Sequence, residues 1–215
     1  MPEKDTSDAE ARRNVTRRSR RKEQKEELRS HILRTASEMF LESGYNHFSM
    51  RKLAERIGYS AATLYLYFRD KDDLLFTVVD DGFARFQRQL EVAAESGDHP
   101  WERLGRLAEA YVLFGINNPA YYQLMFMWRS DYLTQSRIGE DAPRVQTFEI
   151  LIDAVRDAID RGVMQEGDPK VYSDILWAMM HGIVALSIQM PMFDNERTEK
   201  LTNQAKQMIY RAFHK

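Results

Sequence analysis

The residues from Ser60 to Phe68, SAATLYLYF, put small groups, hydroxyls and one leucine at spacings that suit recognition rather than catalysis. On a helix with Ile57 at zero, Ala61, Leu64 and Phe68 fall within about 40° of that direction, and Leu66 points about 180° away. Ala62 and Thr63 flank Leu66 on the far face, and Tyr65 and Tyr67 lie on its two edges. Such a surface fits a DNA major groove. Ser60, Ala62, Thr63 and Leu66 would meet base edges, while the two tyrosine hydroxyls would reach phosphates on opposite groove walls. A surface helix whose aromatic edges serve tertiary contacts has the same pattern, so this stretch alone leaves both readings open.

The helix that must position this segment decides between them. Over residues 48 to 57, Met50, Leu53, Ala54 and Ile57 face inward and Arg51, Lys52 and Arg56 outward. A three-residue turn containing Gly58 follows. The result is a helix-turn-helix, whose first helix crosses the phosphate backbone and whose second enters the groove.

The surrounding residues extend the pattern to G-x-x-x-F-S-x-x-x-L-A from Gly44, then G-x-S-x-x-x-L-Y-x-Y-F-x-x-K-x-x-L-L from Gly58, with Ile32, Ala36 and Phe40 before them. Residues 28 to 75 thereby resemble the DNA-binding domain of the TetR family of bacterial transcriptional regulators. The resemblance implies that Tyr65 and Tyr67 contact phosphates and that Thr63 with its small neighbours Ala61 and Ala62 faces bases. It also implies that Lys71, opening the fourth helix, holds the backbone, with Arg51 and Lys52 on the helix that crosses it.

Charge is unevenly distributed along the 215 residues. The net charge is -2, yet residues 12 to 69 carry 14 Lys and Arg against 6 Asp and Glu, and the rest of the chain is acidic. A basic third joined to an acidic remainder suggests an anion-binding module attached to something else, nucleic acid being the leading anion. Residues 1 to 21, rich in arginine and without apolar period, read as a disordered arm that would follow the adjacent minor groove or phosphates. The sequence has no cysteine, which excludes disulfides, thiol redox chemistry and Cys-based zinc sites and suits a reducing cytoplasmic home. The N-terminus has no apolar central region, so neither a signal peptide nor a membrane anchor is expected. The apolar stretch at 176 to 193 falls short of about 20 apolar residues and contains His181, Ser187, Gln189 and Pro191, so a membrane span is not expected.

Almost every long segment has helical period and none alternates like a strand, so the fold should be all-α. Helices read at 22–43, 50–57, 60–67, 71–96, 100–116, 119–135, 142–163, 169–190 and 195–213. Gly44 and Gly58 suit helix ends, Ser49 and Ser60 suit helix starts, and Asp70 with Asp73 places carboxylates at the positive end of a helix. The expected domains are the arm over 1–21, a helix-turn-helix domain over 22–70 and a larger ligand-binding and dimerisation domain over 71–215.

In that larger domain the helix at 169–190 is apolar nearly all round and must be covered on two sides. With the stripe Leu201, Ala205, Met208, Ile209 and Phe213 on the last helix, it suggests that the two final helices pair with a second subunit in a four-helix bundle, as the resemblance also implies. A purely internal core is the alternative. Between the DNA module and these helices lies an aromatic and methionine supply that permits an apolar pocket for a hydrophobic or aromatic effector. Its candidate lining is Phe83, Phe86, Tyr111, Phe114 and Tyr122, then Met125, Phe126 and Trp128, with Trp177 and His181 from W-x-x-x-H-G, a signature that resembles a TetR-like subgroup. Trp177 and His181, four residues apart, can touch. A lone histidine without a second ligand at metal spacing does not make a metal site, and no cofactor is implied. No nucleophile elbow, phosphate loop or facing carboxylate pair supports an enzyme. The rival regulator is a ligand-independent helix-turn-helix protein with an architectural role or a protein partner. The resemblance favours a homodimeric repressor released by its ligand from a palindromic operator.

Overall fold

The computed structural model describes residues 4–127 and 143–215, with side chains from 19 to 127 and from 145 to 215. Among these residues there are nine helices and no β-strand beyond one isolated bridge. They are α1 (Lys4–His47), α2 (Met50–Ile57), α3 (Ala61–Tyr65), α4 (Lys71–Glu95), α5 (Pro100–Asn117), α6 (Pro119–Phe126), α7 (Pro143–Asp160), α8 (Pro169–Gln189) and α9 (Asn195–Phe213).

The chain divides into two units, Met1–Val78 and Val79–Lys215. The division falls within α4, eight residues later than the expected boundary, because Leu74, Leu75 and Val78 are buried residues of the first unit. Over the stretch expected to be a disordered arm, helix α1 continues back to Lys4. Between Pro2 and Gly44 the sequence has neither proline nor glycine and is rich in Ala, Arg, Lys, Glu and Gln, residues that lose little freedom on entering a helix. Gly44 interrupts α1 as expected, with φ +69°, a backbone conformation that side chains with a Cβ disfavour. Helix α3 is shorter than the expected 60–67. Of the expected helix over 119–135, α6 covers Pro119–Phe126, and positions 128–135 lie outside the described residues, as does Trp128.

In the first unit, α1 packs on α2 and α2 on α3 around Ile32, Leu33, Ala36, Phe40, Leu53 and Leu64, all essentially inaccessible to solvent. Phe48, just before α2, stacks on Phe40 with ring centroids 3.9 Å apart. In the second unit α5 is central, packing against α6, α7, α8 and α9, with α8 also against α7 and α9. Helix α8 is long and apolar enough to cross a membrane by length and composition, but its Leu176, Met180, Ile183 and Val184 are buried against this bundle.

Candidate nucleic-acid interface and apolar cavity

The turn between α2 and α3 is built from local hydrogen bonds. The Ser49 hydroxyl accepts from the Lys52 N–H, opening α2, and Gly58 closes it with φ +75° and ψ +28°. The Ser60 hydroxyl then accepts from the Thr63 N–H at 3.1 Å and lies 2.9 Å from the Thr63 hydroxyl. Each polar side chain at the start of α3 therefore has a partner before any ligand arrives. Asp70 accepts from the Asp73 N–H and Asp73 from the Arg69 N–H, at 2.8 and 2.9 Å, a reciprocal cap that opens α4.

This frame presents the outward face that the helical wheel predicts. Leu66 is 81% exposed and Tyr65 54% exposed, while Leu64 and Phe68 are buried. Ala62, Arg51, Lys52 and Ser60 are exposed, whereas Ala61 is half-buried toward the core, so its small size serves packing as well as access. Arg51, Tyr65 and Lys71 line one shallow concavity together with Ser49, Tyr45, Asp70 and Asp72. Tyr67 takes the other edge, half-buried, with the Lys25 ammonium 5.7 Å from its ring centre.

Two residues outside the expected set shape this face. Tyr45 receives Lys71, whose ammonium donates to the Tyr45 carbonyl at 3.2 Å and sits 4.0 Å from the ring centre. The Tyr45 hydroxyl donates to Asp72. Lys71 thus braces the junction of α1 and α4 from within the concavity. Lys25 extends the Tyr67 edge onto α1. The only advance signal for Tyr45 is an aromatic next to a helix-interrupting glycine. On the other side of α2, Arg56 grips Glu42 through contacts of 2.5 and 2.9 Å, and that hydrogen bonding holds the Glu42 carboxyl below its usual pKa.

The second unit contains a half-open cavity of about 660 Å³. Its apolar wall comes from Leu90, Leu104, Tyr111, Leu176, Trp177 and Met180, and α9 brings Asn203, Lys206, Gln207 and Arg211 to it. Of the expected lining residues that are described, Tyr111 and Trp177 are on this wall. Phe83, Phe86, Phe114, Tyr122 and Met125 are instead packed core, because α4, α5 and α6 consume their aromatic faces against one another. The Phe86 ring, for example, lies 4.8 Å from Phe114 and 5.2 Å from Tyr111. Phe126 and His181 are half-buried, their rings 6.1 Å apart.

A hydrogen-bonded chain runs from the cavity wall into that core. Trp177 Nε1 donates to the Tyr111 hydroxyl at 3.0 Å, the Tyr111 and Tyr122 hydroxyls are 2.8 Å apart, and Tyr122 is 2.6 Å from His181 Nδ1. The indole can only donate. One assignment satisfies every member: Tyr111 donates to Tyr122, and Tyr122 to an unprotonated His181 Nδ1. Burial lowers the His181 pKa and raises those of both tyrosines, so all three groups are held neutral. Trp177 and His181 touch as their spacing predicts, with centroids 5.7 Å apart. Among the described residues no group of three or more His, Asp or Glu could hold a metal ion.

Known proteins resemble this chain in sequence and in fold. A family model described as bacterial regulatory proteins, tetR family, matches residues 32–78, and one described as the tetracyclin repressor-like C-terminal domain matches residues 104–208. The HTH-type transcriptional activator FasR of Mycolicibacterium smegmatis is 30% identical over 137 residues, 64% of this chain and 61% of FasR. The HTH-type transcriptional repressor KstR of Mycobacterium tuberculosis is 32% identical over 147 residues, 68% of this chain and 63% of KstR. The chain therefore spans less than two thirds of the length of each of these relatives. Among solved structures, AibR in complex with isovaleryl coenzyme A and operator DNA has the same fold, with a TM-score of 0.67 at 22% identity over 84% of this chain and 97% of AibR.

Proposed function

Because this chain belongs to the TetR family of bacterial regulatory proteins, we propose that it is a homodimeric repressor that binds a palindromic operator and is released by a hydrophobic ligand. The observation that carries the reading is the exposed Leu66 between two tyrosine edges at the end of the second helix of a helix-turn-helix, the element that enters the major groove and meets base edges. Ala62 and Leu66 contact thymine methyls or other apolar base edges. Arg51, Lys52, Tyr65 and Lys71 hold one strand of phosphates and Tyr67 the other.

The dimer forms through α8 and α9. Val171, Ile175, Ala178 and Gly182 recur at spacings of three and four along α8 and are open to solvent or half-open, and Met208 is exposed on α9. A Cβ at Gly182 would meet no atom within 4 Å, so the face has room for a second helix at close range. Two recognition helices about 34 Å apart then match successive turns of DNA.

An acyl thioester is the effector class that fits best. The cavity supplies apolar wall for the chain, and Arg211 supplies a cation for an anionic head, beside Lys206, which is ion-paired with Glu109. AibR, of the same fold, is described with isovaleryl coenzyme A. Such a ligand releases DNA only by binding more tightly to the arrangement that does not fit the operator. Helix α4 connects the two events, since Lys71 lies in the interface concavity and Leu90 on the cavity wall.

The test is fluorescence anisotropy of the DNA upstream of its own gene across a salt series, with an Arg51→Ala/Tyr65→Phe variant beside the wild type. Acyl-coenzyme A thioesters of increasing length are then added to the complex. Selective binding that the variant weakens, and release by one range of chain lengths, is the expected result. Equal, weak binding to all DNA, with no preferred site in a genomic selection, would overturn the regulator; selective binding that no thioester reverses would overturn only the ligand.

A further inference from the structure

The segment of α1 that precedes the helix-turn-helix core carries an unneutralised line of cations in register with one edge of the DNA face. Arg21, Lys22, Lys25 and Arg29 fall at helical spacings of three and four, within about 60° of Lys25 on a helical wheel. Arg21, Lys22 and Lys25 are exposed, and among the described residues none of the three is in an ion pair. Glu23, Glu26 and Glu27 lie about 100° or more from Lys25 around the helix, and Glu23 accepts from the Ser19 hydroxyl instead. Arg21, Lys25 and Arg29 stand four residues apart, and like charges so spaced repel along a helix. Apart from Glu26, four residues from Lys22 but in no ion pair with it, nothing within α1 favours this arrangement. An external anion does.

The anion is identified by what the line adjoins. The Lys25 ammonium rests 5.7 Å from the Tyr67 ring centre, at the phosphate-facing edge of the recognition segment. From Lys25, α1 continues unbroken toward Lys4, and Arg21 and Lys22 sit about one turn, roughly 6 Å, further along. Each strand of DNA offers a phosphate about every 3.4 Å of axis, so this turn spans about two base pairs.

We infer that Arg21, Lys22 and Lys25 form a helical extension of the DNA interface that holds phosphates of the duplex flanking each half-site, outside the bases read by α3. It deepens the regulator reading and rests on it. The contribution is sequence-independent and salt-sensitive, and unlike a flexible arm it has a fixed register, because a continuous helix carries it.

The test uses duplexes selected by the full-length protein from a random library, then trimmed pairwise from both ends. Wild type is compared with Arg21→Ala/Lys22→Ala/Lys25→Ala and with a control, Arg106→Ala/Arg156→Ala/Lys170→Ala, that removes equal charge from the second unit. On long duplexes the first variant should flatten the slope of log affinity against log salt by about 2.7 per bound chain, about 0.9 for each phosphate no longer neutralised. Trimming two to three base pairs beyond each half-site should abolish the difference, while the sequence preference and the thermal midpoint stay unchanged. Equal slopes for variant and wild type on long duplexes would overturn the inference. So would a difference that survives trimming, which would place the contacts inside the site, or an equal loss in the control, which would reduce the effect to net charge. Failure of the wild type to select any sequence would instead remove the regulator reading on which the inference rests.

Discussion

The Tyr122 hydroxyl lies 2.6 Å from His181 Nδ1, tying α6 to α8 through a buried contact between two neutral groups. His181 titrates below its ordinary value of 6.5 because it is buried, so the unfolded chain takes up its proton first. The stability it contributes is complete above about pH 6.5 and is lost as the pH falls from there through the folded value. Thermal midpoints between pH 7.5 and 5 should therefore fall more steeply for the wild type than for His181→Asn, which offers an uncharged acceptor near the same place. Parallel curves would show that His181 does not take up the proton.

Tyr122→Phe removes the central hydroxyl and leaves between Tyr111 and His181 only their own longer contact of 3.4 Å in place of two shorter ones. Leaving buried polar groups unsatisfied costs about 1–3 kcal/mol, and urea unfolding should show a loss of that size. A loss below about 0.5 kcal/mol, the level of an ordinary surface substitution, would mean the chain is not a stabilising unit.

Gly115 permits the closest approach between α5 and α8. A Cβ there would stand 2.3 Å from Val184 Cγ1 and 3.1 Å from the Tyr122 ring, too near for either to remain in place. Gly115→Ala should destabilise by about 1–3 kcal/mol, outweighing the better helix propensity of alanine. Adding Val184→Ala should recover part of that loss in a double-mutant cycle, whereas simple additivity would argue against the clash.

Leu66→Ser removes a side chain that barely touches its own protein. Its stability should stay within about 0.5 kcal/mol of the wild type, while selective operator binding weakens by up to about 1.5–3 kcal/mol, the value of a leucine side chain fully removed from water. Calorimetry and anisotropy on the same preparation separate the two effects.

Ala108→Trp places a large ring in the cavity from its α5 wall. Operator binding should persist and release by ligand should be lost, as read by anisotropy with the thioester that acts on the wild type. Unaltered release would place the effector elsewhere.

The first unit is legible because its signals are local. Gly44, Ser49, Gly58 and Ser60 set chain direction within a few residues, and the apolar period assigns Leu53, Ile57, Leu64 and Phe68 to the core without knowledge of any distant partner. The exposed Leu66 and the two tyrosine edges follow from the same periodicity. The basic segment before them is harder to read. Charge without apolar period looks like disorder, yet the residues themselves favour helix and nothing breaks it before Gly44.

In the second unit, composition establishes which residues are apolar but not which of them face one another. Phe83, Phe86, Phe114, Tyr122 and Met125 read as well for a cavity wall as for a core, and helical period cannot separate these, since both are inward. The packing of α5 against four helices spends those rings on each other and leaves the space between α5, α8 and α9. The partners of Lys71 and Tyr67 have the same origin: Tyr45 and Lys25 are 26 and 42 positions away in sequence. Composition, period and capping residues thus determined most of the helices and the exposed face of α3, and the motifs from Gly44 to Leu75 carried the resemblance to the family. Only the tertiary structure decided the cavity and the long-range contacts, because these depend on which surfaces meet once the chain has folded back on itself.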